Sequence, residues 1–385
     1  MLHLFWTVVL GLIALLWVVE AIVLAIGVRS VPSIKNSPPA TDVDCPTISI
    51  LFAGRDEAEK LPGALETMLA INYPQYEVIA VDDRSGDATG EILAAAACKE
   101  TRLKPLRVDS LPSGWLGKPH ALQQAYEHSC GEWLVFTDAD VHFTPDVLRR
   151  AIALARQKSW DHLTLLCGAK LFTFGEKMAM TFFGLAFMIG TRPWEASNHR
   201  LAGYSGVGAF QMIRRSAYDR LGTHRRLAME VVDDMKLGKL AKEAGVRSGV
   251  AKAGDAVSVH WHAGIANMVR GTEKNFFAAA GYNLRVALTQ TIGVLLLCAF
   301  PVFALPLAHG WTFAFACVAT VLPLLATAGV AFEMNTPVIY ALTFPFGAMV
   351  FAWMLMRSTI VTLWRGGIVW RGTFYRIDEL KRGVV

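Results

Sequence analysis

The chain has 385 residues, 54% of them hydrophobic and 18% charged; it is too long for one small domain and too apolar for an ordinary soluble one, so part of it must face lipid. Its formal net charge of +5 is modest and its basic residues are scattered, which argues against a nucleic-acid-binding stripe and suits a protein lying on anionic lipid. Six cysteines with no C-x-x-C pair indicate neither a zinc site nor a disulfide framework.

From Leu4 to Val28 the sequence is almost unbroken apolar, long enough to cross a hydrocarbon core as a helix. The positive residues Arg29 and Lys35 follow the run rather than precede it. This predicts a membrane anchor, not a signal peptide, with the N-terminus outside and the following chain cytoplasmic. Glu20 within the run either pairs with another helix or sits near the interface, and the second reading is preferred. Ser30 to Pro46, broken by four prolines, reads as a linker. Strands are then predicted at Ile48–Phe52, Tyr76–Val81, Leu103–Val108 and Trp133–Thr137. Helices are expected at Glu57–Ala70, Thr89–Lys99 and Lys118–Cys130. Strand alternating with helix is the pattern of an α/β domain with a mainly parallel sheet.

Three acidic loops follow strand ends: Arg55-Asp56-Glu57, Asp82-Asp83 and Asp138-Ala-Asp140. In a parallel sheet they converge on one rim, where such sheets bind ligands. Two carboxylates one residue apart can share a hard divalent cation, which in turn takes oxygen ligands and phosphate. Ala53-Gly-Arg-Asp-Glu57, Val81-Asp-Asp-Arg-Ser-Gly-Asp87, Gly114-Trp-Leu-Gly-Lys118 and Phe136-Thr-Asp-Ala-Asp140, in this order, resemble an inverting family-two glycosyltransferase with the GT-A fold. The resemblance extends to the membrane-anchored subgroup associated with ceramide, carotenoid and hopanoid glycosylation. It covers roughly residues 46 to 280. It implies that Arg55, Glu57, Asp82 and Asp83 line the nucleotide pocket, that Asp138 and Asp140 hold the sugar and a Mg²⁺ or Mn²⁺ ion, and that Lys118 meets donor phosphate. The donor it implies is a nucleotide diphosphate sugar, UDP-linked.

Gly168–Phe174 reads as a further strand. Lys177–Thr191 is apolar on nearly every side but too short to span, which predicts an interfacial helix. The glycine cluster Gly203–Phe210 lets backbone approach a ligand closely or makes a tight turn. Glu230-Val-Val-Asp233-Asp234 opens a helix with acids in its first turn, as a helix N-terminus favours. The resemblance makes this pair the source of the general base, with Asp234 the better match and Asp233 its neighbour. The usual Gln-x-x-Arg-Trp keeps only its Arg, as Arg270, which is left to grip diphosphate. The His260-Trp-His262 pair is read as interfacial positioning rather than a metal site.

After Arg285 three apolar stretches follow, Val286–Ala308, Trp311–Phe332 and Val338–Met356, each long enough to span. Three crossings put the tail outside, while its basic residues argue for inside. A re-entrant, Pro-broken segment reconciles the two. The domain organisation expected is therefore an anchor over 1–29, a linker over 30–46, a cytoplasmic GT-A domain with interfacial helices over 47–280, and a transmembrane bundle with basic tail over 281–385. The function expected is transfer of a sugar to a lipid or polyisoprenoid-type hydroxyl at the inner membrane. A processive polysaccharide synthase is disfavoured by the broken Gln-x-x-Arg-Trp. A non-catalytic scaffold is disfavoured by the intact Asp138, Asp140 and Asp234.

Overall fold

Runs of β-branched and aliphatic residues between turn signals form the predicted strands: β1 (Ile48–Gly54), β2 (Tyr76–Asp83), β3 (Leu103–Val108) and β4 (Trp133–Asp138). β2 is buried along its whole length and β1 along nearly all of it, as expected where helices cover both faces of a parallel sheet. The chain is seen here as a computed structural model that describes residues 1 and 3–385. Four further strands complete the sheet: β5 (His142–Phe143), β6 (His162–Ala169), β7 (Gln211–Arg214) and β8 (Ser248–Val259). The order is β3-β2-β1-β4-β7-β6-β8-β5. β3, β2, β1 and β4 run parallel, and β7 enters antiparallel beside β4. The expectation of an α/β domain with a mainly parallel sheet holds, with antiparallel pairs at β4–β7, β6–β7 and β5–β8.

Several boundaries differ from the sequence reading. The strand expected at Gly168–Phe174 ends at Ala169 and begins earlier, at His162, because Phe174 already belongs to the next helix. The helix expected from Glu57 starts at Leu61, with Pro62 in its first turn, where a missing N–H costs nothing. The linker is packed rather than loose: Ile34 is fully buried in the core shared with Ile48 and Trp133, and Arg149 donates to the Ala40 carbonyl.

The chain forms two compact units that cut across the expected division. The sheet unit consists of Val31–Lys170, Pro193–His260 and Arg371–Val385. The helical unit consists of Met1–Ser30, Leu171–Arg192 and Trp261–Trp370. Residues 171–192 and 261–280, expected with the GT-A domain, thus pack with the helices, and residues 371–385 pack with the sheet. In the helical unit four described helices are long and apolar enough to cross a membrane, His3–Ser30, Leu284–Leu307, Gly310–Glu333 and Val338–Arg365, so the protein is membrane-associated. The second is interrupted by a π-helical turn at Leu295–Ala299, just ahead of Pro301, a common cause of irregular helices. Phe174–Thr191 starts on a reciprocal cap between Thr173 and Glu176, and Glu176 also accepts from the Gly264 N–H. Glu20 does not merely sit at an interface: it pairs with Arg192 at 3.0 Å.

Candidate active site

Strand register builds the site. β1 aligns Ala53 with Asp138 of β4 and Gly54 with Asp82 of β2, so the three acidic loops leave the sheet at one edge. The loop before β7 reaches the same edge, where Thr137 donates to the Ala209 carbonyl at 2.8 Å. The helix Asp233–Glu243 delivers Asp233 and Asp234 in its first turn.

Asp138, Lys118, Asp233 and Asp234 come together. The Lys118 ammonium donates to Asp138 Oδ1 at 2.7 Å and lies 3.8 Å from Asp233 Oδ1. Burial works against this charge, but Asp138, Asp233 and Asp234 outweigh it and hold the ammonium well above the usual lysine range. Asp234 accepts from the Gly208 N–H through Oδ2 and from the Met235 N–H through Oδ1, both at 2.8 Å. A Cβ on Gly208 would lie 2.7 Å from Asp138 Oδ2 and 3.2 Å from Asp234 Oδ2, so these two carboxylates face one small space. Burial, then Asp233, pushes the Asp234 carboxyl up to about 6 against the pull of Lys118.

Behind Asp233 stands His224, fully buried. The His224 N–H donates to the Tyr218 hydroxyl at 2.8 Å, and that hydroxyl meets Nδ1 at 2.5 Å. The other ring nitrogen, Nε2, lies 3.9 Å from Asp233 Oδ2. Burial lowers the His224 pKa, consistent with a neutral ring. On the other side, Gln211 donates to the Asp234 carbonyl at 2.7 Å and is itself held by the buried His162.

The expected nucleotide side is also assembled. Asp82 accepts from the Ser85 N–H and from Arg107, and Asp83 takes Arg84 in a two-pronged pair. The two loops are tied to each other: Asp56 N–H donates to Ser85, and Glu57 N–H to Thr89 at 2.9 Å. Arg55 Nε is buried and has no hydrogen-bond acceptor among the described residues. A bound ligand could satisfy that donor.

The Asp138-x-Asp140 pair is not arranged as a shared clamp. Asp140 turns away to Lys60 at 2.9 Å while Asp138 takes Lys118, and no group of three potential metal ligands occurs among the described residues. The cause is local: β4 ends at Asp138, and turn residues follow, so the two-residue alternation of a strand stops before Asp140. The donor set itself fits Mg²⁺ or Mn²⁺, being oxygen-only carboxylate at a ligand-binding sheet edge. Arg270 lies in the helical unit, lining a cavity of about 180 Å³ with Glu273, Lys274, Thr362 and Trp370. Its guanidinium bonds to Asn267 at 3.0 Å.

Sequence reasoning missed Lys60, Tyr218, His224 and the tail residue Arg371, whose guanidinium reaches Glu57. Of these, His224 follows a Gly-Thr pair that shapes the backbone locally. Gly222 and Thr223 there take left-handed backbone and turn the imidazole inward.

The profile of glycosyl transferase family 21 matches residues 9–382. The chain is 23% identical over 237 residues to 4,4'-diaponeurosporenoate glycosyltransferase of Staphylococcus haemolyticus, covering 61% of this chain and 62% of that protein. It is 34% identical over 115 residues to beta-monoglucosyldiacylglycerol synthase of Trichormus variabilis, covering 29% of this chain and 24% of that protein. The match therefore spans less than two thirds of either relative. Among solved structures, the mannosyltransferase PcManGT from Pyrobaculum calidifontis, in complex with GDP-Man and Mn²⁺, aligns with a TM-score of 0.52 at 20% identity, covering 92% of this chain and 99% of that one. That likeness is one of fold, and it bears out the GT-A expectation.

Proposed function

The chain belongs to glycosyl transferase family 21, and from that premise we propose that it is a membrane-bound inverting glycosyltransferase moving a sugar from a nucleotide diphosphate sugar to a lipid or polyisoprenoid-type hydroxyl. The observation that carries the reading is the facing pair Asp138 and Asp234 beside Gly208, with Asp234 tuned toward neutral pH. In a single displacement, the acceptor oxygen forms a bond to the anomeric carbon as the bond from that carbon to the diphosphate oxygen breaks, and configuration inverts. Asp234 takes the acceptor hydroxyl proton, with the Gly208 and Met235 N–H groups fixing its carboxylate. Lys118 supplies a point charge for the donor diphosphate. Arg55, Glu57, Asp82 and Asp83 form the nucleoside side of the pocket, and Arg270 is a further candidate for diphosphate. A Mg²⁺ or Mn²⁺ ion held by Asp138, and by Asp140 once it is released from Lys60, would supply neutralising charge for the departing diphosphate.

The lipid acceptor is supported by the four apolar helices and by the relatives, a diaponeurosporenoate glycosyltransferase and a monoglucosyldiacylglycerol synthase. A UDP-linked donor follows from the family resemblance. We place the enzyme in the inner membrane with the sheet unit cytoplasmic. Residues 371–385 pack within the sheet unit and so lie on its side of the bilayer, which requires an even number of crossings between Leu284 and Arg365. Leu284–Leu307, broken at the π-turn and Pro301, is the segment assigned as re-entrant.

The test incubates purified protein with radiolabelled UDP- and GDP-sugars, divalent metal and extracted bacterial lipid. Label should enter the lipid phase with wild type, and Asp140→Ala should lose metal-dependent donor binding. Absence of transfer from every donor, together with unchanged donor binding in Asp140→Ala, would sink the enzyme reading.

A further inference from the structure

Residues 371–385 are absent from the catalytic scheme above, yet they are anchored to both ends of the site. At one end Arg371 donates to Glu57 Oε1 and to the Arg55 carbonyl, both in the loop after β1. Next, Tyr375, only 6% exposed, lies beside Arg84, the arginine that grips Asp83. At the far end the Val385 N–H donates to Glu230, and its carbonyl accepts from Lys236. Lys236 lies within the first turns of the helix that presents Asp233 and Asp234. Leu380, fully buried, pins the middle. The segment thus runs from the expected nucleotide loops to the acid-bearing helix.

Arg371 has φ 46° and Gly372 φ 77°, the two left-handed residues of the tight turn between the short strands Gly367–Trp370 and Thr373–Arg376. From that turn the Arg371 guanidinium, a planar fork, reaches a carboxylate and a backbone carbonyl of the loop after β1 together. The same loop holds the buried Arg55 Nε with no hydrogen-bond acceptor among the described residues. A donor in this loop needs the loop held still, and Arg371 adds to the ties that Ser85 and Thr89 already make.

We propose that residues 371–385 form a strap that completes the nucleotide pocket, with Arg371 as the positioning residue that fixes the Arg55–Glu57 loop for the nucleoside diphosphate. This rests on the glycosyltransferase reading above. Arg371 acts through Glu57 and the Arg55 backbone, so its loss weakens donor binding more than it slows the transfer of donor already bound.

The experiment uses the full chain in detergent with Mn²⁺. Titration calorimetry with UDP, GDP, CDP and ADP finds the nucleotide that wild type binds, and that nucleotide is then the probe. Arg371→Ala should weaken its binding about tenfold, the loss expected of one charged hydrogen bond, and raise the donor KM by a similar factor with kcat nearly unchanged. Arg371→Lys, which keeps the charge but not the fork, should recover part of the loss. Hydrogen exchange across 371–376 should slow when the nucleotide binds to wild type. If Arg371→Ala does not fold, Arg371→Lys carries the test with a smaller expected shift. Wild-type affinity in the variant that folds, with strap exchange indifferent to nucleotide, overturns the strap and leaves the enzyme reading standing. A loss confined to kcat makes the contact merely structural and also overturns it. A wild-type chain that binds none of the four nucleotides overturns the glycosyltransferase reading, and the strap falls with it.

Discussion

Asp234→Asn should remove nearly all sugar transfer while leaving nucleotide binding close to wild type. The amide oxygen can still accept one of the two N–H bonds, from Gly208 or Met235, that hold the native carboxylate, so the loop and the helix start lose one tie and keep their remaining contacts. What it cannot do is take the acceptor proton. General-base catalysis is commonly worth about 10² to 10⁴ in rate, and that is the expected fall in kcat. The pH profile gives an independent reading. Burial and Asp233 raise the Asp234 carboxyl to about 6, and the base form is the one above that value. Wild-type transfer should therefore climb as pH rises through about 6 and then level off, whereas the residual activity of Asp234→Asn should lack this limb. Equal loss of binding and turnover would transfer the base role to Asp233. That residue already has Lys118 on one side and the neutral His224 on the other.

The parts of this site legible in the sequence were those fixed locally. β1, β2, β3 and β4 announced themselves as short apolar runs, and because parallel strands end on the same edge, three acidic loops could be placed on one rim without coordinates. Asp138 and Asp234 did converge there. Asp140 did not follow, because strand periodicity was carried two residues past the end of β4. What stayed hidden depends on long-range pairing. β7 and β8 insert between and beside strands far away in sequence, and nothing local marks Lys60 as the partner of Asp140. The tail is the largest case. A basic, Trp-containing segment after a membrane helix reads as interfacial, and only its contacts with Glu57, Arg84 and Glu230 show that it belongs to the sheet unit.

Gly206→Ala should be as damaging to transfer as loss of the base, by a different route. In the glycine cluster before β7, a Cβ on Gly206 would lie 1.8 Å from the Asp234 carbonyl oxygen and 2.7 Å from Gln211 Nε2. From the other side, a Cβ on Gly238 would lie 2.1 Å from the Ser205 carbonyl. Loop and helix are therefore pressed backbone to backbone, and the carbonyl in the way cannot rotate aside as a side chain would. One of the two must shift. Displacing a catalytic group by about 1 Å can cost about 10² in rate, and overpacking of this kind commonly costs about 1–3 kcal/mol of stability. Because the same loop carries the Gly208 N–H to Asp234 and the Ala209 carbonyl to Thr137, both the acid helix and the end of β4 are disturbed. The variant should thus lose nucleotide affinity along with turnover and unfold several degrees earlier, the combination that Asp234→Asn does not show. Gly190→Ala, whose Cβ would meet nothing within 4 Å, is the matched control and should leave transfer and nucleotide affinity unchanged. A Gly206→Ala protein with wild-type transfer would mean that the loop is not clamped on the helix, and the placement of Asp234 as base would lose its structural support.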